Sequence, residues 1–522
     1  MGIFSAQASS SGERLLITGR IVPMTYPNEI YENGAICIEK DRIVAVVSDI
    51  EFVPEEFESI SPIKTEGTIY PGLIDMHNHL SYNFLPLWSV PNQYTNRNQW
   101  RTEEPDYHIS ITSPAKILGK NVDKDYPRSI ARFVECRSLL GGTTTTQGLS
   151  SSLRGESRTW YKGLTRNVEA PNEPIFPKAG GKTLDYRASE IESKLVPALK
   201  RDNPFFYHLS EGTDDDARQR FLDLEYKKDV WAVDQDLIAI HCTGLQGDDF
   251  KILARGGGMV WSPLSNFLLY GRTADIVSAK KSGIKIALGT DWSPSGSKNL
   301  LGELKIAQIV SKNNGGVFSL EELVRMVTST PAEILGWEGQ VGALKRGMKA
   351  DLLILEGNSI DPFEQLVAAN EDDILAVVID GRPRHGRMNL LDFDKDNQEQ
   401  IVIGGKNYCL DLTESGNDPL GGLTLTSAID KLTYGLANLP DLVTNMPKHD
   451  TFAFEILARD NISIDFDFDD ADDFRTMQNK LLSEVRNLRP IKMSPITAID
   501  DHEYIPFLRT NINLPDYVKE GL

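Results

Sequence analysis

Paired cysteines, an excess of basic residues and long apolar runs are all missing from this sequence. The four cysteines lie far apart with no CxxC pair, which argues against a disulfide framework or a thiolate zinc site and fits a reducing compartment. Lys and Arg total 55 against 75 Asp and Glu, a net charge of −20, which is the wrong sign for binding nucleic acid by neutralising phosphates. No window approaches the ~18 consecutive apolar residues of a membrane span, and no secretory signal is recognisable. We therefore expect a cytoplasmic protein without nucleic-acid or membrane partners.

The chain has 522 residues, well above the ~250 that one hydrophobic core usually supports, so we expect more than one domain. Apolar, strand-like runs alternate with helical patterns between residues 67 and 339, and the later runs recur at roughly the length of a βα unit. This pattern predicts an α/β fold with buried parallel strands, most simply an eight-fold (β/α)8 TIM barrel. An open doubly wound sheet is the rival, but no GxGxxG motif follows any of these strands.

Short strands of alternating polarity precede and follow this region, in RLLITGRIVPM and GAICIEKDRIVAVV and again in KADLLILEG. The two sets are similar in length and could pair, which predicts one discontinuous β domain made of residues 12–66 and 340–394. We expect residues 395–522 to form a separate α+β extension. The extension has no catalytic signature, and its two histidines, His449 and His502, lie in polar, turn-like contexts typical of the surface.

Side chains that can bind metal occur at the ends of the predicted barrel strands. His77 and His79 follow the first strand, and because strand residues two apart point the same way, both imidazoles can face the barrel axis. His208 in PFFYHLSEG, His241 in LIAIHC and Asp291 in KIALGTD reach the same rim of the barrel, where active sites of this fold lie. Burying so many polar side chains without a shared ligand would be costly, which favours a common metal site.

The segments that carry these residues resemble motifs of the amidohydrolase superfamily of metal-dependent hydrolases. The similar segments are PGLIDMHNH, HLSEG, AIHC, SPLSNFLLYG and ALGTDWSPSG, within a resemblance that covers roughly residues 12–392. The closest resemblance is to the mononuclear branch, which includes guanine deaminase, adenosine-type deaminases and the triazine deaminases and chlorohydrolases. It implies a distorted (β/α)8 barrel with a small flanking β-sandwich, in agreement with the strand pattern.

The resemblance also implies one divalent metal ion, Zn²⁺ or Fe²⁺, that activates a water molecule for attack on the substrate. His241 would either orient the water or serve as a further ligand, and the sequence leaves both roles open. Glu211, three residues after His208, is expected to pass a proton to a ring nitrogen or leaving group, and Asp291 can also accept the proton of the water. The implied ligands are His77, His79, His208 and Asp291.

The predicted reaction is hydrolysis of a C–N bond in a small, cyclic nitrogen compound, by deamination or by amine or amide hydrolysis. The loop after His79 is rich in aromatic and amide side chains, as expected of a loop that binds a planar substrate. Tyr82 and Trp88 in this loop are the predicted substrate contacts. Kinship with the family also suggests a homo-oligomer.

Two alternatives to this function remain. A binuclear cyclic-amide hydrolase, resembling dihydroorotase or hydantoinase, would need a carbamylated lysine on the fourth strand, for which Lys162 is the candidate. The His-x-x-Glu pattern of HLSEG favours the mononuclear hydrolase, because a carbamyl-lysine enzyme already has its bridging base. A non-enzymatic scaffold is disfavoured, since a degenerate chain would be free to lose its ligand residues.

Overall fold

The computed structural model describes most of the chain. Two residues singled out in the sequence, the carbamylation candidate Lys162 and the predicted surface residue His449, lie outside the described residues. The described residues are 14–120, 123–148, 164–201, 203–358, 361–388, 390, 398–413, 420, 422–445 and 486–522.

Eight strands follow one another in chain order through the middle of the protein and belong to two parallel sheets, one of three strands and one of five. Apolar sequences such as LIAIH and GMVW are buried along their whole length, as expected of parallel strands covered on both faces. From first to eighth, these parallel strands are Leu73–Asp75, Thr143–Thr146, Arg166–Asn167, Gly180–Lys182, Phe205–Leu209, Leu237–His241, Gly258–Trp261 and Ile286–Leu288.

Backbone hydrogen bonds connect the two parallel sheets to each other at both of their edges. Met76 N donates to Leu288 O at 3.2 Å, so the ends of the first and eighth strands are adjacent. Ala179 N donates to Val168 O at 2.9 Å and links the segments of the third and fourth strands. Because the pairings are parallel, the carboxyl ends of the strands lie on one side, where the predicted metal ligands are found.

A separate nine-stranded sheet takes strands from both sides of the parallel region. Ile63–Pro71 pairs antiparallel with Leu352–Glu356, which joins the early and late strands. This sheet extends beyond the ranges expected from the sequence: Ile63–Pro71 runs past residue 66, and Lys406–Asp411, beyond residue 394, pairs with Arg382–Arg387. In sheet order, the strands are Gln398–Ile403, Lys406–Asp411, Arg382–Arg387, Ile374–Ile379, Leu352–Glu356, Ile63–Pro71, Arg14–Ile21, Tyr31–Glu39 and Arg42–Val47.

Helices separate most of the parallel strands and occur again among the described residues after position 422. Among the described residues, no helix combines the length and the apolar character needed to cross a membrane. A two-stranded hairpin, Glu225–Lys227 with Val230–Trp231, follows the fifth parallel strand. In the part of the chain that the structure describes, the α-helices are Pro105–Tyr107, Ser113–Gly119, Asp125–Leu140, Ala188–Glu190, Val196–Leu199, Asp215–Leu222, Asp249–Leu253, Pro263–Tyr270, Ile276–Ser282, Leu300–Asn313, Leu320–Arg325, Ser329–Leu335, Pro362–Ala368, Leu425–Ala437, Leu439–Thr444, Tyr504–Thr510 and Asp516–Gly521.

Residues 486–522, which we call the C-terminal segment, pack against the body that carries the parallel strands. Lys298 Nζ forms a buried ion pair with Asp501 Oδ2 at 2.7 Å. Glu371 Oε1 accepts a hydrogen bond from Ala498 N at 2.6 Å. These contacts join the segment to the part of the chain that follows the eighth strand, close to the carboxyl ends of the strands.

Candidate metal centre

Five of the predicted site residues converge at the carboxyl ends of the parallel strands. His77 and His79 follow the first strand, and His208 is the fourth residue of the fifth strand. His241 is the last residue of the sixth strand, and Asp291 lies three residues past the end of the eighth. All five side chains are buried.

The donor atoms of these side chains point at one another. The Nε2 atoms of His208 and His79 are 3.3 Å apart. Asp291 Oδ1 lies 3.2 Å from His77 Nε2 and 3.5 Å from His79 Nε2. Two groups of three have all their ligand atoms within 4.8 Å of one another: His77 with His79 and Asp291, and His77 with His208 and His241.

The surroundings of His77 fit a bound metal ion. Its side chain is completely buried. Among the described residues, Nδ1 has no hydrogen-bond partner, and Nε2 has the Asp291 carboxylate at 3.2 Å beside it. A buried polar atom without a hydrogen-bond partner is costly, and a cation between Nε2 and the carboxylate would be bound by both. Imidazole nitrogens together with one carboxylate are ligands that suit Zn²⁺ and Fe²⁺.

The electrostatics keep His208, His241 and Asp291 in the protonation states that a cation needs. His77 is the exception: burial lowers its pKa, but the Asp291 carboxylate beside it outweighs burial and raises it. Burial lowers the pKa of His208 and of His241 well below the ordinary value, so both imidazoles are neutral. Burial would raise the pKa of Asp291, but His77 and the other imidazoles around it hold that pKa well below its usual range. Neutral nitrogen and anionic oxygen are the forms that bind a metal.

Asp75, the last residue of the first strand, fixes the turn that carries the first two histidines. Its Oδ1 accepts hydrogen bonds from His77 N at 3.2 Å and Thr290 N at 3.1 Å, and its Oδ2 accepts one from Thr290 Oγ1 at 2.6 Å. Burial raises the pKa of Asp75 to about 6, although these hydrogen bonds oppose the shift. Asp291 N also donates to His77 O at 2.8 Å. The ends of the first and eighth strands are therefore tied together beside the centre.

A chain of hydrogen bonds leads to Nδ1 of His241. Trp261 Nε1, which can only donate, bonds to Thr273 Oγ1 at 2.7 Å. The Thr273 hydroxyl donates to Asn266 Oδ1 at 3.2 Å, which turns Asn266 Nδ2 towards His241 Nδ1 at 3.1 Å. With this direction of donation Nδ1 accepts, so the proton of the neutral imidazole lies on Nε2.

Two donors hold the two carboxylate oxygens of Glu211. Tyr270 OH donates to Oε1 at 2.8 Å, and Arg97 Nη1 donates to Oε2 at 3.0 Å. Arg97 also pairs with Asp185 through Nη2 at 2.6 Å, so two carboxylates share its charge. Burial raises the pKa of Glu211 and outweighs the lowering by Arg97. Glu211 Oε2 lies 3.8 Å from His241 Nε2, which places this carboxylate beside the candidate centre.

Aromatic side chains lie next to the histidines. The ring of Trp292 is 6.3 Å from the ring of His79, and Tyr82 packs edge-on against Trp292 at 5.2 Å. Trp88 Nε1 donates to Asp106 Oδ2 at 2.7 Å, in the short helix Pro105–Tyr107 that follows the loop. Of the two predicted substrate contacts, Tyr82 is connected to His79 through the ring of Trp292, which packs against both. The Nε1–H group of Trp88 is already used in its hydrogen bond to Asp106.

The sequence did not identify three residues that contact the site. Arg97 is the only charged residue in the segment SYNFLPLWSVPNQYTNRNQW, and this isolated charge is a signal that could have indicated a buried partner. Asn266 and Tyr270 lie in SPLSNFLLYG, one of the segments that resemble the family motifs, but the sequence assigned neither of them a role in the site. Asn266 and Tyr270 lie four residues apart on the helix Pro263–Tyr270 and so share one face of it.

Residues 182–384, which contain the fifth to eighth parallel strands, match the amidohydrolase family, so the chain contains an amidohydrolase family domain. The family expected from the sequence motifs is thereby confirmed. Two deaminases of known structure share the fold. An adenosine deaminase from Xanthomonas campestris with bound zinc has a TM-score of 0.55 at 18% identity, over 73% of this chain and 95% of that one. Guanine deaminase from E. coli has a TM-score of 0.55 at 18% identity, over 72% of this chain and 99% of that one.

The curated proteins include relatives of similar extent. A 5-methylthioadenosine/S-adenosylhomocysteine deaminase from Symbiobacterium thermophilum is 24% identical over 417 residues, which are 71% of this chain and 93% of the relative. These three proteins are named as deaminases. An atrazine chlorohydrolase from Arthrobacter aurescens with bound zinc also shares the fold, with a TM-score of 0.56 at 20% identity, over 73% of this chain and 97% of that one.

Proposed function

We propose that this protein is a metal-dependent hydrolase that releases ammonia from an amino-substituted nitrogen heterocycle. The observation that carries the proposal is the buried cluster of histidines and Asp291, with Glu211 beside it, in an amidohydrolase family domain. The deaminases among the similar proteins support the same reaction class. We favour an adenine-containing nucleoside as the substrate, because the curated relative is named for two such compounds.

The cluster is the proposed site of one divalent ion, with Zn²⁺ as the first choice. A zinc-bound structural neighbour and the donor set described above support this choice. When bound, the ion supplies the Lewis acidity that makes a water molecule nucleophilic at neutral pH. The side chains that would hold it are His77, His79, His208 and Asp291.

We assign His241 as a hydrogen-bond donor and not as a metal ligand. The chain of hydrogen bonds through Asn266 leaves the ring proton on Nε2, and a protonated ring nitrogen has no lone pair to offer a metal. Nε2 lies 4.0 Å from Asp291 Oδ2, on the side of the ring that faces the cluster. From there its N–H can stabilise the oxygen on which negative charge develops during attack.

Glu211 is the proposed proton carrier. Deamination forms a C–O bond at the ring carbon and breaks its C–N bond, so a proton from water must reach the departing amino group. The raised pKa of Glu211 brings the carboxyl closer to the pH range in which it can both accept and return a proton. Tyr270 and Arg97 hold the carboxylate in place for this transfer, and each oxygen keeps a further lone pair for the proton.

The proposed architecture around the site is a distorted (β/α)8 barrel flanked by a β-sandwich domain. The hydrogen bonds from Met76 to Leu288 and from Ala179 to Val168 support closure of the two parallel sheets into one barrel. The nine-stranded sheet, which is built from both sides of the barrel, corresponds to the flanking domain.

Ammonia release from a panel of substrates tests the proposed function. The purified chain, supplied with Zn²⁺, is incubated separately with 5′-methylthioadenosine, S-adenosylhomocysteine, adenosine, guanine and an aminotriazine, and ammonia is measured. A Glu211→Gln variant is the matched control, because it keeps the shape of the side chain but cannot carry a proton. We expect release from at least one adenine nucleoside and a much lower rate in the control.

The same assay separates the proposal from the binuclear alternative. A cyclic amide such as dihydroorotate or hydantoin is included, and its ring opening is followed by absorbance. Ring opening without ammonia release from any amino heterocycle, together with a carbamylated Lys162 in the mass spectrum, would replace the deaminase by a cyclic-amide hydrolase.

A further inference from the structure

Asn513, in the C-terminal segment, joins two parts of the chain that surround the candidate centre. Its Nδ2 donates to Leu268 O at 2.8 Å and to Asn92 O at 3.0 Å. Leu268 O is one of the last four carbonyls of the helix Pro263–Tyr270, which have no partner inside a helix. The Asn513 side chain is buried, so water does not compete for these two hydrogen bonds.

Residues 92–97, which we call the strap, continue from this contact along the end of the same helix. Tyr94 N donates to Leu269 O at 2.9 Å. Gln93 Nε2 donates to Tyr270 O at 3.0 Å. The strap and Asn513 together therefore satisfy the final three carbonyls of the helix, one after another.

The strap and the helix each supply one of the two donors that hold Glu211. Arg97, at the end of the strap, bonds to Oε2, and Tyr270, at the end of the helix, bonds to Oε1. Thr213 N donates to Thr95 O at 2.6 Å, which fixes the strap beside the turn that follows Glu211. Any movement between the strap and the helix end would change the position of the Glu211 carboxylate.

We propose that Asn513 is a positioning residue of the active site: by tying the strap to the end of the helix Pro263–Tyr270, it fixes Arg97 and Tyr270 against Glu211. This inference rests on the proposed role of Glu211 in proton transfer. Asn513 acts only through other residues. It lies outside residues 182–384, the part that matches the amidohydrolase family, so the C-terminal segment adds a support for the site from beyond that domain.

The experiment compares two substitutions at Asn513 with a matched control in the full chain. Asn513→Asp keeps the shape of the side chain but removes both N–H donors, and Asn513→Ala removes them without adding charge. Asn511→Asp is the control, because it adds the same charge to the same segment and keeps the oxygen that accepts from Asn513 N at 2.8 Å. Each variant is examined by hydrogen–deuterium exchange, zinc content and steady-state ammonia release.

In both Asn513 variants we expect amides of the strap to exchange at least about fivefold faster, because a buried hydrogen-bonded support is lost. Turnover should fall by about tenfold or more, since displacing a reacting group by ~1 Å can cost about 100-fold in rate. KM and zinc content should stay within about twofold of the parent, because neither depends on the position of Glu211. The control should resemble the parent in every measurement.

Folded Asn513 variants with unchanged strap exchange, or with faster exchange and unchanged turnover, would overturn the inference. Failure of both variants to fold would also overturn it, because Asn513 would then be a stability residue. Faster strap exchange in a chain whose parent releases no ammonia from any substrate would leave the structural link intact and reject the proposed function instead.

Discussion

Arg97 and Glu211 form a buried ion pair between residues 114 positions apart in the sequence, with Nη1 donating to Oε2 at 3.0 Å. The pair lies between the loop after the first parallel strand and the loop after the fifth. A buried charge without a partner costs several kcal/mol, so the ionised Glu211 carboxylate requires Arg97, whereas Arg97 has Asp185 as a second partner. The same contact that stabilises the loops also fixes the carboxylate proposed to carry the proton.

Replacing Arg97 by Gln should lower both stability and turnover. Removing one partner of a buried ion pair typically destabilises a protein by about 3–5 kcal/mol, and here it also frees the Glu211 carboxylate. If Arg97 acts on catalysis through Glu211, the substitution should add little further loss of turnover in a Glu211→Gln background. Thermal unfolding and turnover of the two single variants and the double variant measure both effects, and fully additive losses of turnover would show that Arg97 acts elsewhere.

Glu211→Gln and Asp291→Asn should differ in their effect on metal content. A proton carrier contributes roughly 10²–10⁴-fold to rate, so Glu211→Gln should lower turnover by about 100-fold or more while zinc content stays near that of the parent. Asp291→Asn should lose zinc as well as turnover, because the amide oxygen is a weaker ligand than the carboxylate. Zinc content and turnover are measured on the same preparations. Equal loss of zinc in the two variants would make Glu211 a ligand.

Asn266→Asp should reverse the hydrogen bond to His241. A carboxylate at this position can only accept, so the ring proton would move to Nδ1 and leave Nε2 without its proton. Because a catalytic histidine in the wrong tautomer can lose orders of magnitude in rate, turnover should fall by about 100-fold or more. The ¹⁵N chemical shifts of the His241 ring report the tautomer directly. A parent protein whose Nδ1 is already protonated would contradict the assignment of His241 as a donor.

His385 should make the protein sensitive to mild acid. Burial lowers its pKa to about 3 in the folded chain, whereas the unfolded chain binds a proton below about pH 6.5. The contribution of the neutral His385 to the free energy of unfolding is therefore fully present above pH ~6.5. It declines as the pH falls towards the pKa of the folded chain, by about 2 kcal/mol between pH 7 and 5.

A His385→Phe variant should lose less stability over this pH interval than the parent. Its side chain binds no proton in either state, so acid no longer favours the unfolded chain at this position. His502→Phe is the control, since His502 is exposed in the described part of the chain and should leave the pH dependence unchanged. Urea unfolding at pH 7, 6 and 5 gives the slope of the free energy of unfolding against pH for each protein. Parallel slopes for the parent and the His385 variant would mean that this histidine binds a proton equally well in the folded and the unfolded chain.

The sequence indicated the positions of the histidines well, because strands with buried apolar runs ended at each of them. The third and fourth parallel strands could not be located, since Arg166–Asn167 and Gly180–Lys182 are too short to show any periodicity. Contacts between residues far apart in the sequence could not be predicted either. Asn513 donates a hydrogen bond to a carbonyl 421 positions earlier, and no local pattern specifies such a pair. The extension beyond residue 394 was expected to be separate, yet its first two strands are part of the nine-stranded sheet. The sequence alone does not define where the edge of that sheet lies.

The central claim, one metal ion that supports hydrolytic deamination, is tested most directly by adding Zn²⁺ to the metal-free protein. Bound zinc and ammonia release from 5′-methylthioadenosine or S-adenosylhomocysteine are measured after each addition, for the parent and for His208→Ala. We predict that activity rises with zinc and saturates at one ion per chain, and that the variant binds zinc weakly and stays inactive. Saturation at two ions per chain, or full zinc binding without ammonia release from any amino heterocycle, would contradict the account.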